Sequence, residues 1–249
     1  MILFDFDGVL IDSVDEALVT ASAALTGSPS VKISELSPVY VSLFRRYRYI
    51  IQTSSDLMIL GRWCLAKQAT SESALLSDSE FSSLKEKHRV DTKSDREKFF
   101  AARDVIAKKS PESWLTLNRP YEPLWSALQK IGGAELLILT NKNHQAVLDL
   151  GEHFGLRFSA SNVYSADNGK TKSDNLGRIC ERTKCSRFDF VDDAVHNLAE
   201  LNRNFPGILS CHLATWGYIG PNDEAYAKEC GFSCMTQKDI VDLLHDIVL

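Results

Sequence analysis

The chain lacks any uninterrupted apolar run of about 18 residues, so no transmembrane helix is expected and no membrane partner is called for. No basic-then-apolar leader precedes the first apolar segment, and a cytoplasmic, soluble protein is the expectation. Basic residues form no long run and the formal net charge is −5, which argues against a nucleic-acid surface. The cluster Arg45, Arg46, Arg48, interleaved with Tyr47 and Tyr49, is read as a solvated helix face rather than an anion grip. No C-x-x-C pair occurs among the 6 cysteines, and Cys180/Cys185 and Cys230/Cys234 do not have the spacing of a zinc site. Reduced, mostly buried thiols are expected. Neither an internal repeat nor a low-complexity tract is visible. What remains is an ordinary globular composition: 249 residues, 44% hydrophobic and 24% charged, enough for one large domain or two modest ones.

Against that background the first residues are unusual. Ile2, Leu3, Phe4 and Phe6 read as a buried parallel strand, yet Asp5 and Asp7 interrupt it. Strand side chains alternate, so the two carboxylates point to one side. Like charges at the end of a buried strand are costly unless a cation sits between them. The pair is therefore read as a divalent-metal site with a nucleophilic or acid/base role. Gly8 permits a sharp exit, and Asp12 or Ser13 would cap a helix beginning near Val14.

From Val14 to about Asn118 the pattern is helical. Helices are expected over 14–27, over 39–68 with a break near Thr53, over 78–88 and over 94–109; residues 70–83, rich in serine, read as a loop plus a helix start. After Pro120 helices and strands alternate: helix 122–131, strand 135–139 ending at Thr140-Asn141, helix 144–154, and a short strand near 162–164. The turn Asp167-Asn168-Gly169 and helix 173–183 follow. Strand 188–191 then ends in Asp192-Asp193, helix 195–203 comes next, and strand 208–213 runs to Trp216-Gly217-Tyr218. Alternation of this kind predicts a parallel sheet covered on both faces, with ligands at the carboxyl ends of the strands. The fold class is α/β: a Rossmann-like three-layer core over 1–15 and 119–249, with an all-helical insert over 16–118.

Four strand ends then carry polar groups: Asp5/Asp7, Thr140/Asn141, the Lys170/Lys172 loop and Asp192/Asp193. In that order, these segments resemble the four short motifs of the haloacid dehalogenase superfamily, most of whose members are phosphohydrolases. Trp216-Gly217-Tyr218 resembles a segment of its phosphoglycolate-phosphatase-like branch, and the insert has the place and length of that branch's helical cap. The resemblance implies an Mg²⁺-dependent phosphatase acting on a small phosphorylated metabolite. Asp5 would be the nucleophile forming an aspartyl-phosphate, and Asp7 the acid and then the base. Thr140 and the amide of Asn141 would bind phosphoryl oxygens, with helix capping as the plain alternative for Thr140. Lys172 is preferred over Lys170 as the motif lysine, and Lys142 could also enter the site. Mg²⁺ would be held by Asp5, the Asp7 carbonyl and Asp193, with Asp192 beside it. His196 and Asn197 would cap or orient the Asp192-Asp193 turn.

In the insert, Arg45, Arg46, Tyr47, Arg48 and Trp63 are candidates for reading the substrate. Asp7 separates the chain from the 2-haloacid dehalogenases and phosphonate hydrolases, which depart at that position. Ala17 stands where a β-phosphoglucomutase-like phosphomutase would carry a histidine. A non-catalytic binding or regulatory module is the reading from another class; it gives no reason to keep Asp5 and Asp7 together. Oligomeric state is not legible.

Overall fold

A computed structural model describes residues 1–28, 32–69 and 73–248. In chain order, the elements begin with β1 (Ile2–Phe4) and β2 (Ile11–Asp12). Six helices follow: α1 (Val14–Thr26), α2 (Pro38–Arg46), α3 (Ser54–Lys67), α4 (Asp78–Lys87), α5 (Thr92–Lys109) and α6 (Pro111–Leu115). Then come β3 (Arg119–Pro120), α7 (Leu124–Ile131), β4 (Leu137–Leu139), α8 (His144–His153), β5 (Val163–Tyr164) and α9 (Lys172–Thr183). The chain closes with β6 (Phe188–Asp192), α10 (Val195–Asn204), β7 (Leu209–Ala214), α11 (Asp223–Glu229), β8 (Ser233–Met235) and α12 (Gln237–Val248). It divides into two compact units, 1–12 with 119–249, and 13–118. The first crossing thus falls after Asp12, three residues before the division expected from sequence, because α1 already begins at Val14.

The α/β unit is a six-stranded parallel sheet in the order β5-β4-β1-β6-β7-β8. The strands are buried apolar runs, as a sheet covered on both faces requires. Leu3, Leu137, Leu139, Phe188, Phe190 and Leu213 face Leu176 and Ile179 of α9 and Leu198 and Leu201 of α10 in one core. By alternation Ile2, Phe4, Ile138 and Val191 point to the opposite face, where they are also buried. The central strand β1 lies between β4 and β6, so the strand order reverses there, the position at which open parallel sheets bind ligands. The ladder extends one residue past two strand ends: Asp5 donates its N–H to the Val191 carbonyl at 2.9 Å, and Thr140 donates to Tyr164 at 2.9 Å. Asp5 and Thr140 are thereby fixed by backbone bonds on neighbouring strand ends. Beyond Phe6 the chain doubles back, with the amides of Leu10 and Ile11 both donating to the Phe6 carbonyl and Gly8 donating to Ile11. This flap closes with β2 pairing antiparallel to β3.

The helical unit packs α1, α2, α3 and α5 around Leu18, Phe44, Leu60 and Phe99. The expected break near Thr53 is a capping box: Thr53 Oγ1 accepts from Asp56 N, and Asp56 accepts from Thr53 N. Ser77 caps α4, while residues 70–72 of the serine-rich segment lie outside the described residues. Gly27, in the left-handed region, ends α1; Pro29 lies outside the described residues. Among the described residues no helix is long and apolar enough to cross a membrane. Cys64 and Cys211 are buried and the other four cysteines half-buried, so burial of the thiols is less general than expected.

Candidate active site

Three carboxylates converge where β1 and β6 end. One oxygen each from Asp5, Asp192 and Asp193 lie within 4.8 Å of one another, and all three residues are buried. Lys172, the first residue of α9, reaches back into this cluster: its Nζ is 2.5 Å from Asp192 Oδ2 and 3.2 Å from Asp5 Oδ1. It is placed there by Thr171, whose hydroxyl caps α9 in a capping box with Asp174. Helix α9 therefore begins at Lys172, not at Ser173, while Lys170 stays exposed.

The acids are held differently. Asp192 accepts from the Ala194 amide at 2.8 Å and from Asn197 Nδ2 at 3.3 and 3.1 Å, so Asn197 orients the turn. Asp193 Oδ2 accepts the Tyr218 amide at 2.6 Å. Its carboxylate also lies against Gly8, whose φ of +85° and missing Cβ leave room that any side chain would fill. Asp7 pairs with Lys142, Nζ to Oδ1 at 2.9 Å, and the Lys142 side chain is almost fully buried. Thr140 is buried and its Oγ1 accepts the Lys142 amide at 3.1 Å, while Asn143 caps α8. Thr140 is thus not the helix cap. Asn141 is exposed at the same strand end.

The electrostatics follow from Asp5 and Asp192 sharing Lys172, with Asp7 paired to Lys142. Burial pushes the Asp5 carboxyl up to about 7, Asp192 and Asp7 add to the rise, and Lys172 opposes it. Burial disfavours the Lys172 ammonium, but Asp192 and Asp5 outweigh it and hold its pKa above the usual lysine range. Burial lowers the pKa of His196. Asp5 Oδ1 is buried and has no hydrogen-bond partner; Lys172 lies at ion-pair distance only. A hard-oxygen donor set with a buried acceptor left over fits a cation such as Mg²⁺.

The sequence reading singled out Asp5, Asp7, Lys172, Asp192 and Asp193, and the structure brings these together at one sheet edge. It understated Lys142, whose signal was its place three residues beyond the end of β4. It also gave no task to Trp216 and Tyr218: Trp216 Nε1 donates to the Val9 carbonyl at 3.0 Å, and Tyr218 Oη donates to Asp12 Oδ1 at 2.7 Å. Asp12 is therefore engaged by Tyr218. In the helical unit, Tyr47 and Trp63 are buried against each other with ring centroids 5.4 Å apart, so they serve its core. Arg45 is committed to Asp15.

A haloacid dehalogenase-like hydrolase family model matches residues 1–203. No match is found among curated proteins. Solved structures with the same fold include a protein from Lactobacillus delbrueckii subsp. bulgaricus predicted to be a phosphoglycolate phosphatase (TM-score 0.60, 14% identity, 97% of this chain and 96% of that one). One from Haemophilus somnus with the same prediction gives 0.58 at 17% identity, covering 98% and 97%. A predicted phosphatase from Clostridium acetobutylicum gives 0.55 at 17%, covering 97% of each chain.

Proposed function

We infer, for a chain that belongs to the haloacid dehalogenase-like hydrolases, that it is an Mg²⁺-dependent phosphatase of small phosphorylated metabolites. The observation that carries this reading is Lys172 bridging Asp5 and Asp192 at the ends of adjacent strands. A buried carboxylate with no hydrogen bond on one oxygen is a nucleophile awaiting an electrophile. Asp5 would attack phosphorus while the bond to the ester oxygen breaks, giving an aspartyl-phosphate. Asp7 would protonate the departing oxygen, and its carboxylate would then take a proton from the water that hydrolyses the acyl phosphate. Lys172 keeps Asp5 in place and offsets its charge. Thr140 and the Asn141 amide, on the neighbouring strand end, would hold phosphoryl oxygens.

Asp5, the Asp7 carbonyl and Asp193 would hold Mg²⁺, with Asp192 beside them. When bound, the ion neutralises the phosphate that an anionic nucleophile must approach. Asp192 is engaged by Lys172, Ala194 and Asn197, so its part is to fix that lysine. Hydrolysis of p-nitrophenyl phosphate and of a panel of sugar and carboxylic-acid phosphates tests the reading. Mg²⁺-dependent turnover, lost in Asp5→Asn, is expected. A protein inert across the panel and without affinity for Mg²⁺ belongs to the non-catalytic class instead.

A further inference from the structure

The turn that follows β7 makes contacts with the site that hydrolysis alone does not explain. Its base is tied to β8, with Thr215 donating through both N–H and Oγ1 to the Met235 carbonyl at 3.0 and 2.9 Å. From that anchor, three successive residues reach the Gly8–Asp12 flap. The Trp216 indole N–H donates to Val9. Gly217 lies so close to the Gly8 carbonyl and to Asp193 that a Cβ there would collide with both. Tyr218 spans from Asp193, through its backbone N–H, to the Asp12 carboxylate, through its phenol. One residue thus bonds an acid of the cluster and the acid that ends the flap.

We propose that Tyr218 is a positioning residue for the metal-binding acids, clasping the flap so that Asp193 and the Asp5–Asp7 segment keep a fixed spacing. The amide on Oδ2 sets the rotation of the Asp193 carboxylate. The phenol–Asp12 bond, charge-assisted and short, stops the flap from carrying Asp7 away from that carboxylate. Gly8 and Gly217 supply the close approach without which the clasp could not form. This inference rests on the metal-dependent reading of the site.

Calorimetric titration of Mg²⁺ into metal-free wild type and Tyr218→Phe tests it, together with kcat and KM for p-nitrophenyl phosphate and the Tm of each protein. Tyr218→Phe keeps the ring and the amide and removes only the phenol. It should bind Mg²⁺ about tenfold more weakly and lose about tenfold in kcat, with KM unchanged. Asp12→Asn, which keeps an acceptor but no charge, should show a smaller loss of the same kind. The double variant should be no worse than Tyr218→Phe alone. A phenol with a merely structural role would lower Tm and leave Mg²⁺ affinity and kcat untouched well below Tm, and that result overturns the proposal. Wild type that takes up no Mg²⁺ overturns both this inference and the phosphatase reading. Wild type that binds and hydrolyses while Tyr218→Phe matches it overturns the inference alone.

Discussion

The two units of the chain bury acids in opposite ways. In the helical unit, Glu16 is engaged by Arg103 through two hydrogen bonds of 2.8 Å, and Asp95 by Arg62 at 2.6 and 2.5 Å. Such forked guanidinium pairs satisfy both charge and geometry, as buried ions must. At the end of the parallel sheet, Asp5 and Asp192 share Lys172, Asp7 pairs with Lys142, Asp193 accepts a backbone amide, and a buried oxygen of Asp5 has no hydrogen bond. Matched ions hold a fold together. Acids gathered this closely are costly to bury, and on the reading proposed above a cation and an anionic substrate would offset that cost.

The contrast is broken most severely at Asp5. Asp5→Asn should lower kcat for p-nitrophenyl phosphate by about 10⁴-fold or more, as loss of a nucleophile does. The same change should raise Tm in metal-free buffer above pH 7, because it removes a charge the folded state disfavours. In the helical unit the sign reverses. Glu16→Ala removes the buried partner of the half-buried Arg103 and should cost about 2–3 kcal/mol in urea unfolding. Equal stability for Glu16→Ala and wild type would show that the paired acids are not structural. Lys142→Met tests the second lysine: removing the cation beside Asp7 should cost kcat about 10- to 100-fold, with the circular dichroism spectrum unchanged.

The smallest expected effect is a pH dependence. In metal-free protein the folded chain keeps a proton on Asp5 between the ordinary value of 3.8 and about 7, where the unfolded chain has released it. More protons bound to the folded state means that stability falls as pH rises through this window. Thermal melts from pH 4 to 8 should show that slope in wild type and lose much of it in Asp5→Asn.

Much of this was legible in the chain. The order of strands and helices from Pro120 to Tyr218 is written in apolar runs and turn residues, and a parallel sheet brings their polar ends together whatever their separation in sequence; α11, β8 and α12 beyond it were not foreseen. Asp5 and Asp7 announce themselves because a strand pattern cannot explain them. Lys142 was harder to assign, because a lysine in a loop is ordinarily solvated and only the path of the chain after Thr140 turns it inward. β2 and β3 have two residues each, too few for any periodicity. Helix α6 has five residues, again fewer than two turns, and was not foreseen. Tyr47 and Trp63 look like ligand-binding aromatics in sequence; the helix faces that bury them are set by tertiary packing. Tyr218 joins groups more than twenty positions away from it in both cases, which no local pattern encodes.

The central claim is that the surplus acids at the sheet edge are a divalent-cation site built around Asp5. Thermal denaturation at pH 8 with and without millimolar Mg²⁺, for wild type and Asp5→Asn, tests it most directly. A clear rise in Tm is expected for wild type on adding Mg²⁺ and a much smaller one for Asp5→Asn. Identical responses of the two proteins, or no response in wild type, would contradict it.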